Sequence, residues 1–369
     1  MAAEPGARIF GLDDARAAAI AGVLVAHVTS TYRDLAGVAV PSSLLNAGQG
    51  VELFFALSGF LIGGRLLDIV DRRPDVHAWW RFMVRRWLRT VPLYLLCLVL
   101  LLVLWPPGRQ ARPVVLEYFV FAQNFAWPMP SWFGVSWSLT VEEWFYVLFS
   151  ALALASFWVI GRRAIIVACA VFIVVPIFLR FAFGPDGGNL DGMMRKVVIY
   201  RLDAIAYGVV VVWWCRTWPE MAARWRWVAL GLGLVLFAIS FLPLFSRRDP
   251  VVFAVMLSAI SAGFALMLPA AASWKAGPRF GGAAVRWLAG RSYCIYLIHL
   301  SLLGAAARGV RNGTLDPVVA IALALLVTAI LAEASWRWFE TPILRLRPRQ
   351  FAPPPEPERP AGAEAARPS

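Results

Sequence analysis

Apolar residues in this chain come in long unbroken runs, with neither the period-two alternation of a half-buried strand nor the single stripe of a surface helix. Runs of this kind, at ~20 residues each, have the length of membrane-spanning helices. Ten are predicted, near 14–32, 49–67, 87–105, 134–158, 163–180, 197–215, 227–245, 251–270, 290–307 and 317–338. The first is the weakest, because it is Ala-rich and contains Arg16 and His27. A further stretch at 114–127 (VVLEYFVFAQNFAW) is too short to span and is read as interfacial or re-entrant. Unbroken runs also argue against a transmembrane barrel. The expected fold is therefore all-α: a polytopic integral membrane protein of about ten transmembrane helices. One transmembrane domain covers 1–345, and the Pro-, Ala- and charge-rich segment 346–369 is expected to be a disordered tail. No stretch is long enough for an added soluble domain, and no internal repeat is visible.

Composition sharpens this picture. Of 369 residues, 60% are hydrophobic and only 15% charged, with a mean hydropathy of +0.68. A soluble chain runs near 45–50% apolar and about 25% charged, so a soluble enzyme and a disordered protein are both excluded. The net charge of +13 would suggest nucleic acid in a soluble protein. Here it reads as the cytoplasmic excess of basic residues, and no basic stripe with interleaved aromatics points to a nucleic-acid partner. With the N-terminus placed inside, 22 of the 35 Lys and Arg fall in inner segments and ten in outer ones. That bias predicts both termini in the cytoplasm, and it needs the weak first span to keep the alternation. Residues 1–16 lack a basic region followed directly by a cleavable apolar one, so the first span is expected to be retained. Cys97, Cys169, Cys215 and Cys294 fall in or beside apolar runs without metal-ligand or paired spacing, so neither a disulfide nor a metal site is expected.

Ionisable side chains inside spans are costly and mark candidate chemistry. Arg16 and His27 are eleven residues apart, so on a helix they share one face about 16 Å apart along its axis. Glu142 and Glu143 lie in SWSLTVEEWFYVLFS, Glu52 in GVELFFALSGFLI and Arg201 with Asp203 in YRLDAIAYG. His27, Glu52, Glu142, Glu143, Arg201 and Asp203 are thereby expected at similar outer-half depth, as a solvated site within the membrane requires. A carboxylate can orient a histidine and raise its basicity, giving a general base for a hydroxyl substrate. Ser58 offers a Ser–His–Glu alternative, although no nucleophile elbow is present. His299, in RSYCIYLIHL, lies near mid-depth and its role stays open. On the inner side, Arg81, Arg85, Arg86 and Arg89 suit either positive-inside anchoring or a phosphate-bearing ligand, for which guanidinium forks are well shaped.

Several motifs together resemble one family, the membrane acyltransferase-3 family of bacterial O-antigen and exopolysaccharide O-acyltransferases. The resemblance covers nearly all of residues 11–345. The opening GLDDARAAAIAGVLVAH carries the family's arginine and histidine at Arg16 and His27. The segments GVELFFALSGFLI (with Glu52 in the acidic position), RRWLRTVPLYL (with Arg85, Arg86 and Arg89), the stretch from Trp137 to Leu148, the stretch from Arg201 to Gly208, SYCIYLIH ending at His299, and Glu340 with Pro342 follow in order. Departures are small: Trp144 stands where Gln is usual, Thr140 replaces a Ser, and Asp14–Ala15 precede Arg16 where Gly–Leu is common.

The resemblance implies an O-acyltransferase of the bacterial inner membrane. Acyl-CoA, acetyl-CoA above all, is the implied co-substrate, docking from the cytoplasm near Arg16 and the Arg85–Arg89 turn. His27 is implied as general base, with Glu142 or Glu143 supporting it. Glu52, Ser58, Trp137, Arg201, Asp203 and His299 are implied as substrate-binding or structural. The acceptor is expected to be a hydroxyl of a cell-envelope glycan or glycolipid, and no metal is required. A small-molecule acceptor of the macrolide type is the alternative within the family. A secondary transporter or flippase is the alternative outside it, and it predicts a repeat symmetry that the sequence does not display.

Overall fold

The computed structural model describes residues 9–41, 49–72, 75–108, 112–130, 132–241 and 249–348. These residues form α1 (Phe10–Ala36), α2 (Gly50–Asp71), α3 (Val76–Leu104), the short α4 (Val115–Phe119), α5 (Ser136–Ile160), α6 (Ala164–Phe183), α7 (Asp203–Thr217), α8 (Pro219–Ile239), α9 (Pro250–Ser273), α10 (Gly282–Arg311), α11 (Pro317–Ser335) and α12 (Thr341–Arg345). No strand occurs among the described residues. Local chemistry fixes several helix ends. Asp249 and Asp316 each precede a proline at the first helical position, and each carboxylate accepts a backbone N–H of the opening turn, from Val252 at 3.0 Å and Val318 at 2.8 Å. Acid caps and N1 prolines both favour helix initiation. Gly37, at φ 66°, closes α1 in the left-handed conformation that a non-glycine residue adopts at a cost.

The protein is an all-helical, multi-pass membrane protein. Seven helical stretches of the described residues are long and apolar enough to cross a membrane: Gly50–Asp71, Val76–Leu104, Ser136–Phe183, Pro219–Ile239, Pro250–Ser273, Gly282–Arg311 and Pro317–Arg345. The Ser136–Phe183 stretch, 48 residues long, contains two of the ten expected spans. The other two that do not stand alone have clear causes. α1 runs for 27 residues, but Asp13, Asp14 and Arg16 lower its hydropathy. α7 has only 15 residues, because the chain before Asp203 is taken up by a π turn at Asp191–Arg195 and a 3-10 turn at Val198–Tyr200. The segment expected to be disordered lies outside the described residues from 349 onward.

Packing is tightest where glycines meet. α2 lies against α7 so closely that a Cβ on Gly59 would sit 1.9 Å from the Ile205 carbonyl oxygen, and one on Gly208 would sit 2.1 Å from that of Ala56. Close backbone approach through small residues is the usual way helices associate in lipid, where apolar burial gives little net drive. α1 packs between α2 and α10 with Ala19, Ile20 and Val23 almost wholly buried. The 114–127 stretch is not a spanning helix. It enters the bundle: Gln123 and Asn124 are fully buried, bonding to Thr140 Oγ1 at 2.6 Å and to the Lys196 carbonyl at 2.6 Å. Phe121 in this stretch holds φ 55°, unusual for a bulky residue, and is fixed by stacking on Tyr94 and by the Trp144 indole N–H, which donates to its carbonyl at 2.7 Å.

Candidate active site

α1 and α10 run side by side in the same direction and bring two histidines together. His27 Nδ1 lies 2.8 Å from His299 Nε2. His299 Nδ1 lies 2.9 Å from the Ile295 carbonyl and 2.8 Å from the Tyr296 carbonyl. A carbonyl oxygen only accepts, so the proton of neutral His299 sits on Nδ1 and its Nε2 carries a lone pair. Its contact with His27 then requires His27 Nδ1 to donate. Hydrogen bonding thus sets both tautomers from the backbone outward, and His27 Nε2 is left with its lone pair. The expected Glu142 or Glu143 partner for His27 is not formed. Both glutamates lie on α5, where they meet α3 instead.

Those α5–α3 contacts line a cavity of about 330 Å³ at the end of the bundle where α1 begins. Arg16, Arg65, Arg85, Arg86, Arg89 and Arg347 line it, and among the described residues Glu142 is the one carboxylate that does. Arg86 Nη2 donates to Glu142 Oε2 at 3.0 Å and to Ser58 Oγ at 3.2 Å, and also bonds the Tyr146 hydroxyl. Tyr146 in turn donates to Glu142 Oε2 at 2.6 Å. Glu143 points away from this group and accepts from Thr90 Oγ1 at 2.7 Å. Arg16 pairs with Asp13 at 3.1 Å. Arg85 donates to the Pro348 carbonyl at 2.5 Å, which draws the chain beyond α12 across the cavity mouth. Arg347 on that segment has its pKa pushed down to about 10, first by burial and then by Arg89, Arg85 and Arg86. A cation disfavoured by neighbouring cations marks a place where an anion is favoured.

A second cleft, of about 630 Å³, opens at the opposite end, between the C-terminal turns of α1, α3 and α10. The two cavities stop short of each other at the histidines. On α10 the first reaches Tyr296 and the second starts at Leu300, and His299 lies between them. On α1 the first includes Arg16 and the second starts at Thr31, one turn beyond His27. Between them the Tyr296 hydroxyl bridges Ser138 Oγ at 2.6 Å and the Val135 carbonyl at 3.0 Å.

The remaining expected residues form a separate buried network. Arg201 and Asp203 do not pair with each other. Arg201 bonds Glu52 Oε2, while Asp203 is held by Arg180 at 2.8 Å and by Ser258 Oγ at 2.7 Å. Arg195 reaches the other Glu52 oxygen at 3.0 Å and lies over the Trp137 ring, 5.0 Å from its centroid. Glu52, Arg201, Asp203 and Arg180 are all at most 3% exposed. The common outer-half site expected from sequence is therefore three groups: the histidine pair, the Glu142–Arg86 group and this ion network. No cluster of three or more metal-ligating side chains occurs among the described residues, whose four cysteines are unpaired.

The sequence profile of a family described as an acyltransferase domain matches residues 9–334, most of the chain. The chain belongs to this acyltransferase family. Among its relatives is "Putative peptidoglycan O-acetyltransferase YrhL" of Bacillus subtilis (strain 168), 24% identical over 93% of this chain and 56% of the relative. Another is "O-acetyltransferase OatA" of Staphylococcus aureus (strain NCTC 8325 / PS 47), 24% identical over 93% of this chain and 58% of the relative. The chain thus spans a little over half the length of these relatives. No solved structure matches it.

Within this acyltransferase domain, sequence reasoning missed Arg180, Arg195 and Tyr146, and beyond it, Arg347. Arg180 ends an apolar run and reads as a loop residue, yet it turns inward to Asp203. Arg195 carried a signal in Asp191, four residues earlier, which holds it at 3.1 Å. Asp191 lies outside the spanning helices. Burial alone would raise its pKa, but Arg195 and Lys196 hold it well below the usual carboxylate range. Trp144, the departure from the usual Gln, is accounted for by its bond to the Phe121 carbonyl.

Proposed function

We propose that this protein is an O-acyltransferase of the bacterial cytoplasmic membrane that moves an acetyl group from acetyl-CoA to a hydroxyl of a cell-envelope glycan, with His27 as general base. The observation that carries the reading is the placement of His27: bonded to His299 through Nδ1, it lies on α1 between the residues lining an arginine-rich cavity and those lining a second cleft at the other end of the bundle. The names of the relatives support the acetyl group, and the excess of basic residues at the arginine-lined end supports placing that end in the cytoplasm.

The CoA phosphates would meet Arg16, Arg85, Arg86, Arg89 and Arg347, whose planar forks suit phosphate oxygens. The pantetheine arm would extend past Ser58 and Tyr296 and bring the thioester to His27. As the acceptor oxygen bonds the thioester carbonyl carbon, its proton passes to His27 Nε2. The C–S bond then breaks, and the CoA thiolate takes the proton back from Nε2. His299 keeps accepting from His27 Nδ1–H throughout, so it steadies the imidazolium without giving up a proton of its own. Glu142 and Tyr146 hold Arg86 in place, and Glu143 braces Thr90. A covalent route through Ser58 is not favoured, since Ser58 bonds Arg86 and Tyr146 rather than a histidine.

Purified wild type and His27→Ala, compared in detergent with radiolabelled acetyl-CoA and a cell-envelope glycan extract, test the reading. Retained acetyl-CoA binding with lost transfer is expected. Equal transfer by both proteins would overturn the general-base assignment, and failure of the wild type to bind any acyl-CoA would overturn the donor assignment.

A further inference from the structure

The cleft at the far end of α1, α3 and α10 has a character of its own. One wall is apolar, built from Leu101, Leu104, Trp105 and Trp132. Facing it, the last turn of α10 carries Arg308 and Arg311. Arg308 lies over the Trp105 ring, 5.4 Å from its centroid, and Trp132 donates its indole N–H to the Trp105 carbonyl at 2.8 Å. Asp34 also lines the cleft, but its carboxylate is already held by Arg33, through two bonds of 3.0 and 2.9 Å. Among the described residues neither Arg308 nor Arg311 has a carboxylate partner. Two unneutralised guanidinium groups beside an aromatic wall make a site for a ring with an apolar face and a negative substituent. The volume, about 630 Å³, lies within the range of small-ligand sites.

We propose that this cleft is the acceptor subsite and that it selects a glycosyl acceptor bearing an anionic group, a carboxylate or a phosphate, bound by Arg308 and Arg311. The proposal rests on the acyl-transfer reading above. The geometry fits it: the cleft starts one turn beyond His27 on α1 and immediately after His299 on α10. A sugar ring seated against Trp132, Leu101 and Leu104 places its anionic group outward at the arginines and a ring hydroxyl inward toward His27 Nε2. The arginines therefore act as specificity determinants, distant from the bond that forms. A helix C-terminus attracts cations in any protein, so the test must separate ligand binding from a purely structural role.

The full chain in phosphatidylcholine nanodiscs is titrated calorimetrically with three probes: a tetragalacturonate, a sugar phosphate and a neutral oligosaccharide of matched length. At low salt at least one anionic probe is expected to bind at least tenfold more tightly than the neutral one. That margin shrinks as salt rises, as an exposed charge contact requires. In the Arg308→Gln/Arg311→Gln double variant the margin falls to within threefold, while acetyl-CoA binding, read on the same samples, stays unchanged and reports an intact fold. The single variant Arg311→Glu, less disruptive to the Trp105 wall, loses the margin too. Equal affinity of the wild type for all three probes overturns the proposal, as does a margin that survives in the double variant. Displacement of the anionic probe by phosphatidylglycerol in the nanodisc also overturns it, because the arginines then serve lipid. Anionic preference without acetyl-CoA binding upholds the cleft and sinks the donor reading instead.

Discussion

The ion network around Glu52 and the arginine cavity around Glu142 are built from the same residue types yet have opposite characters. In the first, Glu52 and Asp203 each meet arginine, hydroxyls fill remaining positions, and Arg201 is wholly buried. In the second, six arginines line an open space with one glutamate; Arg16, Arg65 and Arg86 each have a carboxylate nearby, and Arg85, Arg89 and Arg347 have no salt bridge among the described residues. Charge within a membrane protein is thus a poor guide to function taken alone. Balance and enclosure indicate a strut, whereas excess charge beside a cavity indicates a site awaiting a counter-charge. The distinction has an energetic basis. Removing one member of a buried pair strands the other and costs about 3–5 kcal/mol, while a cation facing water loses little when a neighbouring cation is removed.

Variants can break this comparison at several points. The largest effect is expected at neither region but between them. His27→Ala should lower transfer by about 10²–10⁴-fold, the usual worth of a general base, with acetyl-CoA affinity and thermal stability close to wild type. Next, Arg201→Leu should destabilise by up to ~3 kcal/mol, the lower end of the cost of breaking a buried pair, because Arg195 still holds the other Glu52 oxygen; the effect is read as a lowered melting temperature in detergent. Restoring stability with Arg201→Leu/Glu52→Gln would confirm the strut. If Arg201→Leu left stability intact and abolished transfer, the contrast would collapse. His299→Gln keeps an acceptor near His27 and His299→Ala does not. The Ala variant should therefore lose roughly tenfold more kcat than the Gln variant, at equal KM for acetyl-CoA, which separates positioning from packing. The smallest effect should follow Arg347→Gln: a rise of about threefold in the KM for acetyl-CoA, within the ~1.5–3 kcal/mol ceiling for a bond to a charged group, and no change in melting temperature.

Much of the architecture was legible because the bilayer imposes it: apolar runs of spanning length, Asp-Pro helix starts and a re-entrant interruption at 114–127 can all be read one segment at a time. α1 and α7, both expected as spans, fall short of standing alone as such for opposite reasons, the one through charge and the other through length. Candidate residues were legible by type, and of these Arg16, Glu142 and Arg86 line the first cavity while His27 lies on α1 between the residues that line the two cavities. Partnership was not. Whether His27 meets a glutamate or a histidine depends on which helices adjoin and on their relative rotation, and hydropathy fixes neither. The usual expectation that a carboxylate orients a histidine base pointed to Glu142 or Glu143, whereas α10 supplies an imidazole whose Nδ1 is tied to the backbone. Arg180 shows the same limit: its position in sequence says loop, and only the neighbouring Asp203 explains its inward turn.

The Tyr296 bridge to Ser138 and Val135 has an electrical consequence. If water fills both cavities in a membrane, the layer that separates them around the two histidines carries more than its share of a membrane potential. Moving one elementary charge through the full drop involves about 2.3 kcal/mol per 100 mV. With His27 as the proposed base, a proton it exchanges with a group on one side of the layer would cross part of that drop, and turnover in an energised cell would then depend on voltage in a way that turnover in detergent does not.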